Sequence, residues 1–225
     1  MKVYVLNDTS KSPHKKHAGS VATMKALHEL LSDHEVVGRH CAGLGGPDEK
    51  CLDECDVVVC NGEGTMHHDS KSMRFLMKVL DRAQKMGKKT MLINSVWDSN
   101  SNYDDTLRAF DFLSFREELS QMDAGMGRVF KDLVFNNEYE VPPKSKRTKV
   151  YTEETLSLTS KDFQELIYAM ADCSLYQTSR YHGVILAMIS NTPFEVLPGA
   201  NTHKIEGLLK TKAKNLTKAE VWNGH

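Results

Sequence analysis

Two short segments carry cations where an anion can sit. In "FLSFREELS", Arg116 stands beside Glu117 at what reads as a strand end. In "TSRYHGVILAMISN", Arg180 and His182 lie two residues apart in front of an apolar run. A planar guanidinium grips phosphate or carboxylate with paired hydrogen bonds. The run after His182 reads as a helix and "SLYQTSR" before it as a strand. Arg180 and His182 therefore stand at a strand-to-helix turn, where free N–H groups and the helix dipole favour an anion. Such a pair has little use as core filling. The plain alternative for Arg116 and Glu117 is a surface ion pair, which is worth little.

A third segment, "NGEGTMHH", breaks out of an apolar strand. Gly62 and Gly64 allow positive φ and close approach of the backbone to a ligand. The segment is neither a GxGxxG fingerprint nor a Walker A loop. Glu63 between the glycines has the position of a general base for an acceptor hydroxyl, against the plainer reading of a solvent-facing or capping side chain. His67, His68 and Asp69 have metal-ligand chemistry, but neighbours in sequence point to different sides. They read as polar residues opening a helix, and no metal is expected.

The elements that must position these groups alternate. "KVYVLND" reads as a buried strand and "AGSVATMKALHELLSD" as a helix with Val21, Met24, Leu27, Leu30 and Leu31 on one face. Then come the strand "EVVGRH", the strand "CDVVVCNGEG", the helix "SMRFLMKVLDRAQKMG", the strand "KKTMLINSVW", the helix "TLRAF", and the strands "DFLSFRE" and "GRVFKDLVF". After Pro142 and Pro143 the alternation resumes in "KVYTEE", "SKDFQELIYAMADC", "SLYQTSR", "YHGVILAMISN", "PFEVLPG" and "HKIEGLLK". This rhythm implies βαβ units and parallel sheets, with Rossmann-like layers whose ligands lie at the strand C-termini. Asn7 and Asp8, residues 61–65, residues 94–98, and Arg116 with Glu117 all fall on that edge. The expected division is an N-terminal acceptor-side layer over 1–135, a linker over 136–149 and a reduced donor-side layer over 150–225.

The 225 residues are 40% hydrophobic and 26% charged, with a formal net charge of −1. That is an ordinary globular composition with no bulk attraction to nucleic acid or membrane. Basic residues cluster at Lys144, Lys146, Arg147 and Lys149, and again at Lys204, Lys210, Lys212, Lys214 and Lys218. They read first as solvated faces, and second as a polyanion site. Five cysteines without a CxxC pair predict reduced thiols in a cytoplasmic protein. There is no signal-peptide pattern, and no apolar stretch reaches the ~18 residues of a spanning helix.

Taken in order, "NGEGTMHH", "FLSFREELS", "KDLVF" and "TSRYHGVILAMISNTPFEVLPGANTHKIEGLL" resemble the polysaccharide pyruvyl transferase family over nearly the whole chain. The family's GGG-type turn is Asn-Gly-Glu-Gly here, and members are usually longer. The resemblance implies a GT-B-like fold of two domains, with the second reduced. It also implies a phosphoenolpyruvate site between them on Arg116, Arg180 and His182, with Lys204 nearby. The expectation is thus a transferase with no firm cofactor, whose activated anionic donor is phosphoenolpyruvate or a nucleotide sugar. Glu63, Arg180 and His182 are the candidates for chemistry. Arg116, Lys204, Gly62 and Gly64 complete the donor side, and Asp8, His67 and His68 face the acceptor, a saccharide hydroxyl. Two alternatives stand beside it: a nucleotide-sugar-dependent glycosyltransferase acting on hydroxymethylated bases of phage DNA, and a non-catalytic module that binds an anion or nucleotide.

Overall fold

The structure is a computed structural model and describes residues 1–11, 17–101, 103–144, 148–159, 161–199 and 202–222. Lys146 and Arg147 of the first basic cluster lie outside the described residues.

The chain opens with β1 (Lys2–Leu6), α1 (Ala18–Leu30), β2 (Glu35–His40), α2 (Glu49–Glu54), β3 (Val57–Glu63) and α3 (Lys71–Lys85). It continues with β4 (Lys89–Ser95), α4 (Asp104–Arg108), β5 (Phe112–Phe115), α5 (Glu118–Ala124) and β6 (Arg128–Val129). These strands form one parallel sheet in the order β2-β1-β3-β4-β5-β6. Period-two alternation sends Val3 and Val5 to one face and Tyr4 and Leu6 to the other. Both faces are covered, which is why the central strands are apolar throughout. One face packs Tyr4, Leu6, Val58 and Leu92 against Leu76 and Leu80 of α3. The other packs Val3, Val5, Val57 and Ile93 against Leu27 and Leu31 at the end of α1.

The second unit holds β7 (Lys149–Thr152), α6 (Phe163–Ala169), β8 (Cys173–Thr178), α7 (Tyr181–Ile189), β9 (Phe194–Val196) and α8 (Thr202–Lys210). Its three strands are parallel in the order β7-β8-β9. The two expected parallel layers are both present, the second reduced to three strands. A capping box starts α6: the Glu165 N–H donates to the Asp162 carboxylate, and the Glu165 carboxylate accepts from the Asp162 N–H. In α7 the first seven residues are all buried, as an all-apolar helix requires.

Helix α1 joins the two layers. Its first turn places Ala18 and Ala22 in the core of the second layer, while Met24, Leu27 and Leu30 belong to the first. No side chain caps its N-terminus; instead the Ala18 N–H donates to the Leu158 carbonyl at 2.8 Å. Val21, expected on the buried face, is 38% exposed. The helix turns Ala22, not Val21, toward its neighbours, because small residues let the second layer approach closely.

The expected last strand "GRVFKDLVF" is also corrected. Only Arg128–Val129 pair with β5, and Leu133–Asn136 form a 3-10 turn. The Asp132 carboxylate accepts from the Val134 N–H and caps that turn. Two short helices, α2 and α5, fill stretches that carry no clear helical period.

The chain then returns to where it began. The Lys214 carbonyl accepts from the Lys131 N–H, Asn136 donates to the Leu216 carbonyl, and Asn215 donates to the Phe135 carbonyl. Helix α9 (Lys218–Trp222) follows. Leu216 and Val221 enter the core beside Val3 and Leu27, and the Trp222 indole N–H donates to the Leu30 carbonyl. No helix among the described residues is long and apolar enough to cross a membrane.

Candidate active site

The strands of the first sheet end in left-handed backbone. Asn7 after β1, Glu63 at the end of β3 and Asn94 in β4 have φ of 63°, 39° and 56°. Such conformations are costly for residues with a Cβ and cluster where function is placed. The expected positive φ at Gly62 and Gly64 is therefore a correction: Glu63 takes it, and neither glycine does. Gly62 is required by close packing, since a Cβ there would collide with the Ser95 hydroxyl of β4. A Cβ at Gly64 would meet only Arg116 Nη2, at 3.7 Å.

That backbone turns Glu63 inward. Its carboxylate accepts from the hydroxyls of Thr9 (2.6 Å) and Ser20 (2.7 Å) and from the Asn61 amide (3.3 Å). Burial raises its pKa, but His182, the Thr9 hydroxyl, Arg116 and the Ser20 hydroxyl outweigh burial and hold it below the usual carboxylate range. Glu63 is thus a buried anion with its acceptor sites largely used.

Arg116 follows β5 and is 2% exposed. Its Nη1 donates to Asp132 at 3.0 Å, and the guanidinium lies 3.8 Å over the ring of Tyr181. Burial opposes its charge, but Tyr181, Asp132 and Glu63 more than compensate and raise its pKa. Glu117 does not pair with it. The Glu117 carboxylate accepts from the N–H and hydroxyl of Ser120 and caps α5, so the two residues are no surface ion pair.

From the second layer, Arg180 is the N-cap residue of α7. The anion expected at this turn is supplied partly by the chain itself. Glu153, just past β7, accepts from the Thr178 hydroxyl, the Ser179 N–H and Arg180 Nε, at 2.7, 2.5 and 3.1 Å. Burial raises the Glu153 pKa, and these hydrogen bonds outweigh it and lower it. With Nε held, the Arg180 side chain stays 55% exposed. His182 is buried, and its Nε2 has no partner. The imidazole lies 5.3 Å from that of His17 and against Gly19, where any Cβ would overlap the ring. Burial lowers the His182 pKa despite the pull of Asp132 and Glu63. Burial and His182 together bring His17 down to about 4. Both imidazoles are neutral at neutral pH.

These groups line one cavity of about 210 Å³ between the layers. His17 and Ser20 of the α1 end, Glu63, Gly64 and Arg116 form one wall, and Arg180, Tyr181 and His182 the other. Of the residues singled out by sequence, Glu63, Gly64, Arg116, Arg180 and His182 are brought together. Gly62 sits behind the wall. Lys204 on α8 is half-buried beside Arg116, Asp98 and Glu117, with its pKa lowered by burial first, and is not in the lining. His67 and His68 stand on the neighbouring loop, where His68 lies 3.7 Å from Asp98. Asp8 is buried, accepts from Ser10 and faces His28 at 3.9 Å. Asp132, Glu153, Tyr181, His17, Thr9 and Ser20 were missed. For Glu153 a signal existed, an acidic residue at a strand end on the ligand-binding edge. For Asp132 the signal was its place within "KDLVF".

The fold and the cavity define a two-layer parallel α/β protein whose cleft brings two arginines, each paired with a carboxylate, together with Glu63. The chain belongs to the polysaccharide pyruvyl transferase family, whose profile matches residues 2–198; it is a transferase. No curated protein matches it. Among solved structures it is similar to a functionally uncharacterised protein of Klebsiella pneumoniae subsp. pneumoniae NTUH-K2044, with 14% identity, 92% of this chain and 86% of that one covered, and a TM-score of 0.59. That likeness speaks to fold alone. A second structure, an alpha-glucosyltransferase in complex with UDP and a 13-mer DNA containing a HMU base, matches at 10% identity and TM-score 0.40, over 96% of this chain and 66% of that one. A likeness at that level bears on neither site nor activity here.

Proposed function

We propose that the cleft holds the anionic end of an activated donor and passes a group from it to a saccharide hydroxyl. The observation that carries this reading is the meeting of Arg116, Arg180 and His182, from two separate layers, on one cavity. Arg180 is the anion's first contact, because Glu153 fixes only its Nε and leaves the Nη fork for phosphate or carboxylate. Arg116 adds a buried guanidinium, held at Nη1 by Asp132, whose Nη2 lies toward Gly64. The imidazole of His182 is neutral with an unpartnered Nε2, the state required to take a proton from the acceptor hydroxyl. Glu63, already ionised and hydrogen-bonded, then stabilises the imidazolium that forms.

With phosphoenolpyruvate as donor, two acceptor hydroxyls add to C2 of the enolpyruvyl group. One hydroxyl proton ends on C3, the other leaves with inorganic phosphate, and a ketal results. With a nucleotide sugar, the same cations stabilise the departing diphosphate. The acceptor approaches over Gly64, with His67 and His68 on that side and Lys204 beyond Arg116; Asp8, fully buried, stays behind the wall. A DNA acceptor draws no support from Lys214 and Lys218, which pair with Glu220 and Asp33.

The test is mass spectrometry of a saccharide panel after incubation with phosphoenolpyruvate and, separately, with nucleotide sugars, alongside calorimetric titration of each donor. A mass gain on an acceptor is expected with one donor. Arg180→Lys is expected to weaken that donor's binding about 10–100-fold, since a point charge replaces a charge-assisted fork. Equal affinity in the variant sinks the donor assignment, and tight binding without any transfer makes the protein a binding module.

A further inference from the structure

A second cavity, about 250 Å³, opens on the other side of Arg180. Glu153, Leu156, Ser157, Leu158, Thr159, Tyr176 and Arg180 line it. Its chemistry differs from that of the first. Arg180 is the one residue common to both linings. The rest is a carboxylate, hydroxyls and two leucines.

Tyr176 is the informative member. It is 0% exposed, and its hydroxyl lies beside that of Thr178 without reaching hydrogen-bond geometry with any described residue. Burial pushes the phenol up to about 12, so it is a standing donor and acceptor. A buried hydroxyl without a partner costs stability, and phenylalanine would fill the same space without that cost. Unused buried polar groups are rare in folded proteins, and each calls for a reason. Glu153 adds a second point. Oε1 takes the Thr178 and Ser179 groups, while Oε2, among the described residues, accepts from Arg180 Nε. A carboxylate oxygen offers about two lone-pair sites, so Oε2 keeps one for an incoming donor. A built wall with one oriented acceptor and one amphoteric hydroxyl, floored by Leu156 and Leu158, matches a small ring with hydroxyls on its rim and C–H groups on its face.

We infer that this cavity is a subsite for a hydroxyl-bearing ring, either a saccharide or the ribose of a nucleoside, held through the Glu153 carboxylate and the Tyr176 hydroxyl. The ring is neutral, because an anion there would meet Glu153. That the ring and the anion on Arg180 belong to one ligand rests on the donor reading above. Ring binding does not. The loop carrying Leu158 also accepts the Ala18 N–H, next to His17, so a ring seated here presses on the contact that joins the two layers.

The probes are uncharged: uridine and adenosine on one arm, methyl α-glucoside and methyl β-galactoside on the other. Saturation-transfer NMR on the full chain reads their binding. Saturable binding of one arm is expected, with affinity about tenfold lower in Tyr176→Phe, the loss of one net hydrogen bond. Tyr176→Phe should meanwhile melt no lower than the parent, because it removes an unsatisfied group. That combination separates a ligand contact from a structural role. Thr159→Val, at an exposed position, is the second variant and should weaken the same arm. Which arm binds names the source of the ring. Absence of binding by all four probes at millimolar concentration overturns the inference, as does equal affinity in both variants. Phosphoenolpyruvate titrated into Tyr176→Phe reports on the first cavity alone. Parent-like affinity there with lost ring binding keeps the two readings apart.

Discussion

Burial sets the protonation of His17 and His182 before any ligand arrives. Both have pKa values lowered from 6.5, His17 to about 4. As pH falls below 6.5 the unfolded chain takes up protons that the folded one refuses, so stability drops with acidification through that window. Glu63 acts in the same direction but lower: its folded pKa lies below 4.5, so its contribution is lost only as pH falls through that depressed value. His17→Gln is therefore expected to flatten the fall in melting temperature between pH 6.5 and 4.5, measured by calorimetry across buffers. A parent-like slope in the variant removes His17 as its source. Glu63→Gln separates the two candidates for the proton acceptor. If His182 takes the proton, losing the carboxylate that raises its pKa moves the acid limb of the rate profile to lower pH. If Glu63 itself were the base, turnover would fall about 10²–10⁴-fold at every pH, with no shift of the limb.

Elements reach the site only through tertiary pairings, and their strength is testable. Arg116 at the end of β5 is matched by Asp132 from the turn after β6. Removing one partner of a buried ion pair costs about 3–5 kcal/mol, so Asp132→Ala should lower urea stability by that order. A variant within 1 kcal/mol of the parent rules out a buried, paired Arg116 in solution. Where α1 meets α7, Gly19→Ala forces the His182 ring aside. Overpacking of this kind costs about 1–3 kcal/mol, and thermal melts with donor titration will show both losses. Legibility follows the same line. Arg180 and His182 could be found because a strand-to-helix transition is local and shows in the hydrophobic pattern. The parallel layers were legible for the same reason. Glu63 was found by position, but its ties to Thr9 and Ser20 span 54 and 43 residues and leave no local trace, and neither does its left-handed backbone. Asp132 and Glu153 look like ordinary surface acids until the fold buries them against arginines. Val21 was placed inward because a periodicity cannot say which of two partners a helix face will meet.

At the scale of the whole molecule, the polar tail after α8 hid an apolar pair, Leu216 and Val221, among lysines. The first-layer core extends to both ends of the chain, although the family profile stops at residue 198. Leu216→Ala should cost about 2–5 kcal/mol in urea unfolding. Because the tail packs against α1, whose first turn meets the second layer, the substitution should also speed hydrogen exchange at Ala18, whose N–H bridges to Leu158. Loss of stability without faster exchange there makes the tail a local prop only. Helix α1 is built into both cores, with Ala18 and Ala22 in one and Leu27 and Leu30 in the other. Arg180, Tyr181 and His182 follow β8 and open α7 without a break in the chain, so the second layer's half of the cleft wall is one continuous piece of backbone.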